Sequence, residues 1–161
     1  MMRAMLNPFG LLRRLAADQR GTMVVETAIV TPVLVLLSLG TFQVSQLVAR
    51  QAELDGAAAE GAAIAIASAP DTAAKRTTLQ QVIMTSTGLT SNEVTVSAAF
   101  RCNSSASYVT DPASCASGVV SNFVKIYVTD TFTPAWTEFG IGSNITYRVT
   151  RYVEFAQADI P

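Results

Sequence analysis

Hydrophobic positions run almost without a break near the start of this chain and alternate with polar positions near its end. Between residues 21 and 49 the only charged residue is Glu26. An apolar stretch of about 18 residues or more is long enough to cross a bilayer as a helix. Beyond Arg50 the apolar residues continue at helical spacing. The pattern therefore predicts one helix over residues 22–69, of which residues 22–48 form a transmembrane helix.

Two further kinds of element follow this helix. An apolar stripe over residues 72–87 predicts a second, shorter helix, with Asp71 as a candidate cap and Gly88 as its stop. From residue 92 onward the hydrophobic period changes to two, which is typical of strands. The alternating segments are residues 94–100, 124–128 and 145–153. The simplest arrangement is a small antiparallel sheet of about three strands packed on the helices, so the predicted fold class is α+β.

The charge distribution gives the predicted span a direction. Four arginines precede it, at positions 3, 13, 14 and 20, whereas the whole chain has a net charge of −1. Basic residues favour the cytoplasmic side of a membrane. The prediction is a cytoplasmic basic leader over residues 1–21 and an exported domain over residues 49–161 that begins with the helix extension. In a bacterium this is a single-pass inner-membrane protein with a periplasmic domain. A net charge near zero does not indicate a nucleic-acid partner.

The two cysteines fit an exported domain. Cys102 and Cys115 are separated by twelve residues, many of them Ser or Ala. In an oxidising compartment they are expected to form a disulfide, which would contribute on the order of 3 kcal/mol by closing a loop of this length. Two free buried thiols are the alternative.

The composition gives little support for a catalytic function. The chain has no histidine, so it can form neither a Ser-His-Asp nor a Cys-His arrangement. It also lacks a phosphate-binding glycine loop and any metal-ligand spacing. We expect no catalytic residue, no metal and no cofactor.

The start of the apolar run carries a recognisable motif. A glycine followed five residues later by a glutamate resembles the processing site of type IV prepilins. That resemblance implies that a prepilin peptidase cuts between Gly21 and Thr22 and removes the leader. With Glu26, Ala28 and Pro32 in place, residues 21–37 resemble more specifically the opening of TadE-like proteins. These are minor pilins or pseudopilins of the tight-adherence (Tad) pilus, a type IV pilus system.

The resemblance also implies a function and partners. The chain would be a minor pilin that takes part in pilus assembly and surface adherence, and it would reach the pilus at the cell surface after assembly. Its partners would be the prepilin peptidase, other minor and major pilins, the inner-membrane assembly platform and membrane lipid. Glu26 would pair with the freed amine of Thr22 in the next subunit and set the axial register. Pro32 would kink the helix, because proline lacks the N–H that the helix interior requires.

Other interpretations of the same stretch stay open. Glu26 could simply complement the positive end of the helix, or its carboxylate could reach the headgroups. A secretory signal peptide has a similar layout, although its apolar region is about 7–15 residues long. An uncleaved anchor carrying an exported binding domain, without polymerisation, is a rival from another class. A type II secretion pseudopilin is the second rival, although those proteins more often carry Phe at the position of Thr22.

Overall fold

The computed structural model describes residues 20–160. Residues 1–19 of the predicted leader lie outside the described residues. Two helices and a three-stranded antiparallel sheet make up the fold, which confirms the predicted α+β class. The elements are α1 (Arg20–Ser68), α2 (Ala73–Thr87), β1 (Val94–Cys102), β2 (Gly118–Phe132) and β3 (Ile145–Ile160). Short 3-10 helices occupy Pro112–Ser114 and Ala135–Phe139.

The chain divides into two compact units, with the boundary between Val44 and Ser45. In the first unit the described residues are the N-terminal part of α1, whose side chains from Met23 onward are almost all exposed. The second unit contains the rest of α1, the second helix and the sheet.

Within the second unit, one face of α1 is buried. Leu54, Ala58 and Ala65 are fully buried there and lie at helical spacing. Between them Gly61 comes so close to α2 and the sheet that a Cβ built on it would lie 2.8 Å from Ile83 Cδ1 on α2 and 3.3 Å from Ile126 Cδ1 on β2. Small residues on this face let the helix approach its neighbours closely.

Helix α2 is bounded by two local signals. Thr72, rather than the predicted Asp71, is its N-cap, since the Thr72 hydroxyl accepts a hydrogen bond from the Lys75 N–H at 3.3 Å. Asp71 instead pairs with the Lys75 ammonium at 2.8 Å. Gly88 ends the helix in a left-handed conformation with φ of 71°, as predicted.

The sheet has the order β1-β2-β3, so that β2 is central. Apolar side chains on one face pack against the helices, and they include Val94, Ile126 and Val149. All three strands extend beyond the alternating segments found in the sequence, because pairing with a neighbour also holds polar residues in a strand. The register between β2 and β3 shifts beside Asn122 and Phe123.

A loop between β1 and β2 is closed by the predicted disulfide. Cys102 and Cys115 are bonded, with their Cα atoms 5.4 Å apart. The loop places the Tyr108 ring edge-on to Phe123, with 5.1 Å between ring centroids. Phe123 belongs to the sheet face away from the helices and is only 6% exposed. The loop therefore covers part of that second face.

Candidate functional site

Glu26 lies on an exposed, apolar stretch of α1. It is the only charged residue between positions 21 and 49. A shallow surface cleft surrounds it, lined by Met23, Glu26, Thr27, Val30, Thr31 and Leu34. Among the residues whose side chains the structure describes, Glu26 has no ion-pair partner. An ionisable side chain in such a setting is a candidate for function, because it is costly to place in lipid.

The surface around Glu26 is apolar on every side of the helix. Leu36 and Leu37 are 69% and 63% exposed, and Phe42 is 62% exposed. A soluble helix normally shows one apolar stripe, whereas an all-round apolar helix must be buried in protein or lipid. Within the described part of the chain, α1 alone is long and apolar enough to cross a membrane.

Three hydroxyl side chains on the same stretch are satisfied within the helix. Thr27, Ser38 and Thr41 each donate to the backbone carbonyl four residues earlier, at 2.8 Å. Lipid offers no hydrogen-bond partner, so polar groups in a span must be satisfied internally. These bonds therefore lower the cost of placing three polar residues in an apolar environment.

Pro32 lies inside α1, and the helix continues through it. Because proline has no N–H, the carbonyl of Ala28 lacks its usual donor one turn later. Ala28 and Pro32 line a second shallow cleft together with Met23, Val24, Thr27 and Thr31. A kink at Pro32 stays a prediction, whereas the interruption of the hydrogen-bond ladder follows from proline chemistry.

The bond between Gly21 and Thr22 falls in the first turn of α1, which begins at Arg20. The sequence predicted a start at Thr22, two residues later. The first four N–H groups of a helix have no partner within it, so a bond in this turn can be exposed by opening very little structure. Cleavage at this bond stays a prediction.

A second cluster, which the sequence analysis missed, centres on Arg50 in the second unit. Its guanidinium bonds Asp130 at 2.7 Å and Glu53 at 2.8 Å, and donates to the Thr87 carbonyl at 3.2 Å. Burial alone would lower the pKa of Arg50, but the hydrogen bonds to the two carboxylates outweigh it and the pKa is raised. One side chain thus joins α1 to the ends of α2 and β2.

Tyr147 on β3 makes a related connection. Its hydroxyl donates to the Leu47 carbonyl at 3.1 Å, and the residue is 4% exposed. Burial raises the pKa of Tyr147, and the nearby Asp130 carboxylate raises it further. Arg50 was recognisable as the first charge after the apolar run, but two of its three partners, Thr87 and Asp130, lie 37 and 80 residues away. No periodicity in the sequence pairs residues at such separations.

Groups that could hold a metal are absent from the part of the chain that the structure describes. No cluster of three or more His, Cys, Asp or Glu side chains has the required proximity there.

Comparison with known proteins points to the same helix. Residues 21–63 match the model of the TadE-like protein family, which confirms the resemblance. No curated protein and no solved structure matches the chain. One long apolar helix together with a pilus-system family fits a single-pass membrane protein. Over the segment that carries Glu26, residues 21–63, the chain is therefore similar to the TadE-like proteins.

Proposed function

We propose that this protein is a minor pilin, or pseudopilin, that a prepilin peptidase processes and that takes part in assembling a Tad pilus. The observation that carries the proposal is a lone carboxylate, Glu26, near the start of an exposed apolar helix that matches the family. Members of such a family serve as structural parts of a pilus, and we propose no enzymatic activity for this chain.

The proposed orientation follows from the basic leader. Arginines that precede the span stay on the cytoplasmic side, and the unit containing the sheet is exported. The disulfide between Cys102 and Cys115 supports this orientation, because disulfides persist in oxidising compartments such as the periplasm.

Cleavage would create the charged group on which the proposed assembly depends. Cutting after Gly21 frees an α-amine on Thr22, which is a cation at the edge of an apolar helix. An unpaired charge in such surroundings costs several kcal/mol, whereas a paired one is tolerated. Glu26 of a neighbouring subunit supplies the opposite charge. Packing of two such helices then favours the one axial register that brings amine and carboxylate together.

N-terminal sequencing of the mature protein tests the processing step. Cells with the peptidase should yield a chain that begins at Thr22, and cells without it should keep the leader. Gly21→Ala should block cleavage. Gly40→Ala is the matched control, because it adds the same methyl group to the same helix where nothing lies within 4 Å. An intact leader in cells with the peptidase would favour the uncleaved envelope protein with a binding domain.

Substituting Glu26→Gln tests the assembly step. The amide keeps the size of the side chain and removes its charge, so membrane abundance and cleavage should be retained. Pilus number and surface adherence should fall, because the amine of Thr22 loses its partner. Glu138→Gln is the control for the same change at an exposed position outside the matched segment. Normal piliation with Glu26→Gln would reduce Glu26 to a charge that complements the helix end.

A further inference from the structure

The sheet has a second face, turned away from the helices, that is basic and aromatic. The register of β2 and β3 places Lys125 opposite Tyr152 and Thr129 opposite Arg148, so these side chains share one face. The helices cover the other face, where Ile126 approaches α1. The half-buried Lys125 and Tyr127 and the exposed Arg148 and Tyr152 form a patch that we call the outer sheet patch.

Aromatic rings and cations are interleaved in the outer sheet patch. Tyr152 stacks on Tyr108 with 4.0 Å between centroids and 10° between planes, and both rings are more than a third exposed. The Lys125 ammonium lies 5.9 Å from the ring centroids of both Tyr127 and Tyr152. Tyrosine and arginine are enriched where proteins bind one another. Among the described residues, neither Lys125 nor Arg148 has a carboxylate partner.

Another exposed surface of the same unit has the opposite charge. The side of α1 that faces away from the sheet presents the exposed small residues Ala52, Gly56, Ala59 and Ala63. Two exposed carboxylates, Glu53 and Glu60, lie beside them. Glu53 also pairs with Arg50 of its own chain at 2.8 Å, whereas Glu60 has no ion-pair partner among the described residues. We call this surface the outer helix face. Between positions 51 and 68 it carries acidic residues and no basic one.

The spacing of the charges on the two surfaces is compatible. Glu53 and Glu60 are seven residues apart, which is about 10.5 Å along a helix. Arg148 lies on the neighbouring strand, four residues from the position opposite Lys125, which separates the two cations by about 14 Å. The flexible Lys and Arg side chains can close that difference. Small residues between the carboxylates let a helix backbone approach the tyrosine rings.

We propose that the outer sheet patch binds the outer helix face of a second copy of this chain. The contact would cover the open side of the sheet with a helix, which gives helices on both sides of one sheet. It joins two different surfaces, so each copy keeps one of them free for a further copy. The inference rests on the proposed role in pilus assembly and names the contact between exported units.

Chemical crosslinking of the unmodified protein tests this contact. A carbodiimide joins an amine to a carboxylate that touches it, and the chain has only two lysines, Lys75 and Lys125. Full-length protein with natural nitrogen and protein labelled with nitrogen-15 are mixed in detergent micelles before the reaction. A peptide joining Lys125 to Glu53 or Glu60 and containing one light and one heavy half is expected. The Lys75–Asp71 pair, 2.8 Å apart in one chain, should give only all-light and all-heavy products.

Two matched variants separate charge complementarity from chance contact. Arg148→Glu keeps the reactive amine of Lys125 and reverses the second cation, so the yield of the mixed product should fall about tenfold, as expected for loss of one close charge pair. Arg151→Glu makes the same charge change three residues along β3 on the opposite face of the sheet, and the yield should stay unchanged.

Absence of the mixed product, while the internal Lys75–Asp71 product forms, would overturn the proposal. So would an equal loss in both arginine variants. Crosslinking in whole membranes that joins Lys125 to a different pilin, and never to a second copy, would also overturn it. The test in micelles needs no pili, so its failure leaves the proposed role in assembly standing, and a failure of that role does not remove the crosslink.

Discussion

Replacing Arg50 by methionine should weaken the second unit, because one guanidinium there serves three acceptors on three different elements. It bonds Asp130, Glu53 and the Thr87 carbonyl. Methionine keeps most of the aliphatic length and removes the charge together with all its donors. The side chains of Arg50 and Asp130 are 25% and 18% exposed, so water can only partly replace the lost bond.

The magnitude can be worked out bond by bond. A hydrogen bond to a charged group contributes about 1.5–3 kcal/mol, and a neutral carbonyl bond about 1 kcal/mol. The pair with Glu53, whose side chain is 49% exposed, should contribute less than about 1 kcal/mol. Arg50→Met should therefore lower the free energy of unfolding by about 3 kcal/mol. About 2 kcal/mol of this should be coupling between Arg50 and Asp130.

Two double-mutant cycles measure the couplings, one combining Arg50→Met with Asp130→Ala and the other combining it with Glu53→Ala. Denaturant unfolding of the full-length chain in detergent micelles can be followed by the fluorescence of Trp136, the only tryptophan. The coupling to Asp130 should clearly exceed the coupling to Glu53. Equal couplings would refute the argument, because they would mean that burial does not distinguish the two carboxylates.

Three further outcomes are expected from the same unfolding assay. Gly61→Ala should destabilise by about 1–3 kcal/mol, because its methyl group enters a filled contact, whereas Gly56→Ala, with nothing within 4 Å, should stabilise by about 0.5–1 kcal/mol. If both substitutions stabilise the protein, Gly61 is not closely packed. Replacing Cys102 and Cys115 by serine should cost about 3 kcal/mol, and a loss near zero would contradict loop closure as the source of stability. Burial raises the pKa of Tyr147 in the folded state. The contribution of Tyr147 to stability is therefore fully present below its unfolded pKa and is lost as pH rises through its folded pKa. Above about pH 10 the wild type should therefore lose stability relative to Tyr147→Phe. A difference in the free energy of unfolding that stays constant with pH would refute this.

Local sequence signals predicted much of this structure. The all-round apolar run gave the long helix, Gly88 gave the end of the second helix, and a period of two gave the strands. Such signals act between near neighbours in the chain, so one sequence displays them directly. The site around Glu26 was recognisable for the same reason, since charge, glycine and proline all lie within one short segment.

Other features depend on tertiary contacts and could not be predicted. Thr72 and Asp71 are both good cap residues, and only the structure shows that Thr72 accepts the Lys75 N–H while Asp71 pairs with the Lys75 ammonium. Asp130 looked like an ordinary polar position at the end of a strand, and only the packing of α1 on the sheet brings it to Arg50. The outer sheet patch likewise requires the register of two strands, which alternation alone does not specify.

The one-sided pairing of β3 poses an aggregation problem for this protein. Among the described residues, this 16-residue strand has a neighbour only on its β2 side. Open strand edges can pair with other chains, and charged residues or local irregularities oppose such pairing. Arg148, Arg151, Glu154 and Asp159 occur at intervals along β3, and the register shifts within it. If the protein accumulates in a membrane before it joins a pilus, as we propose, this edge discourages amyloid-like stacking while the faces of the sheet stay available.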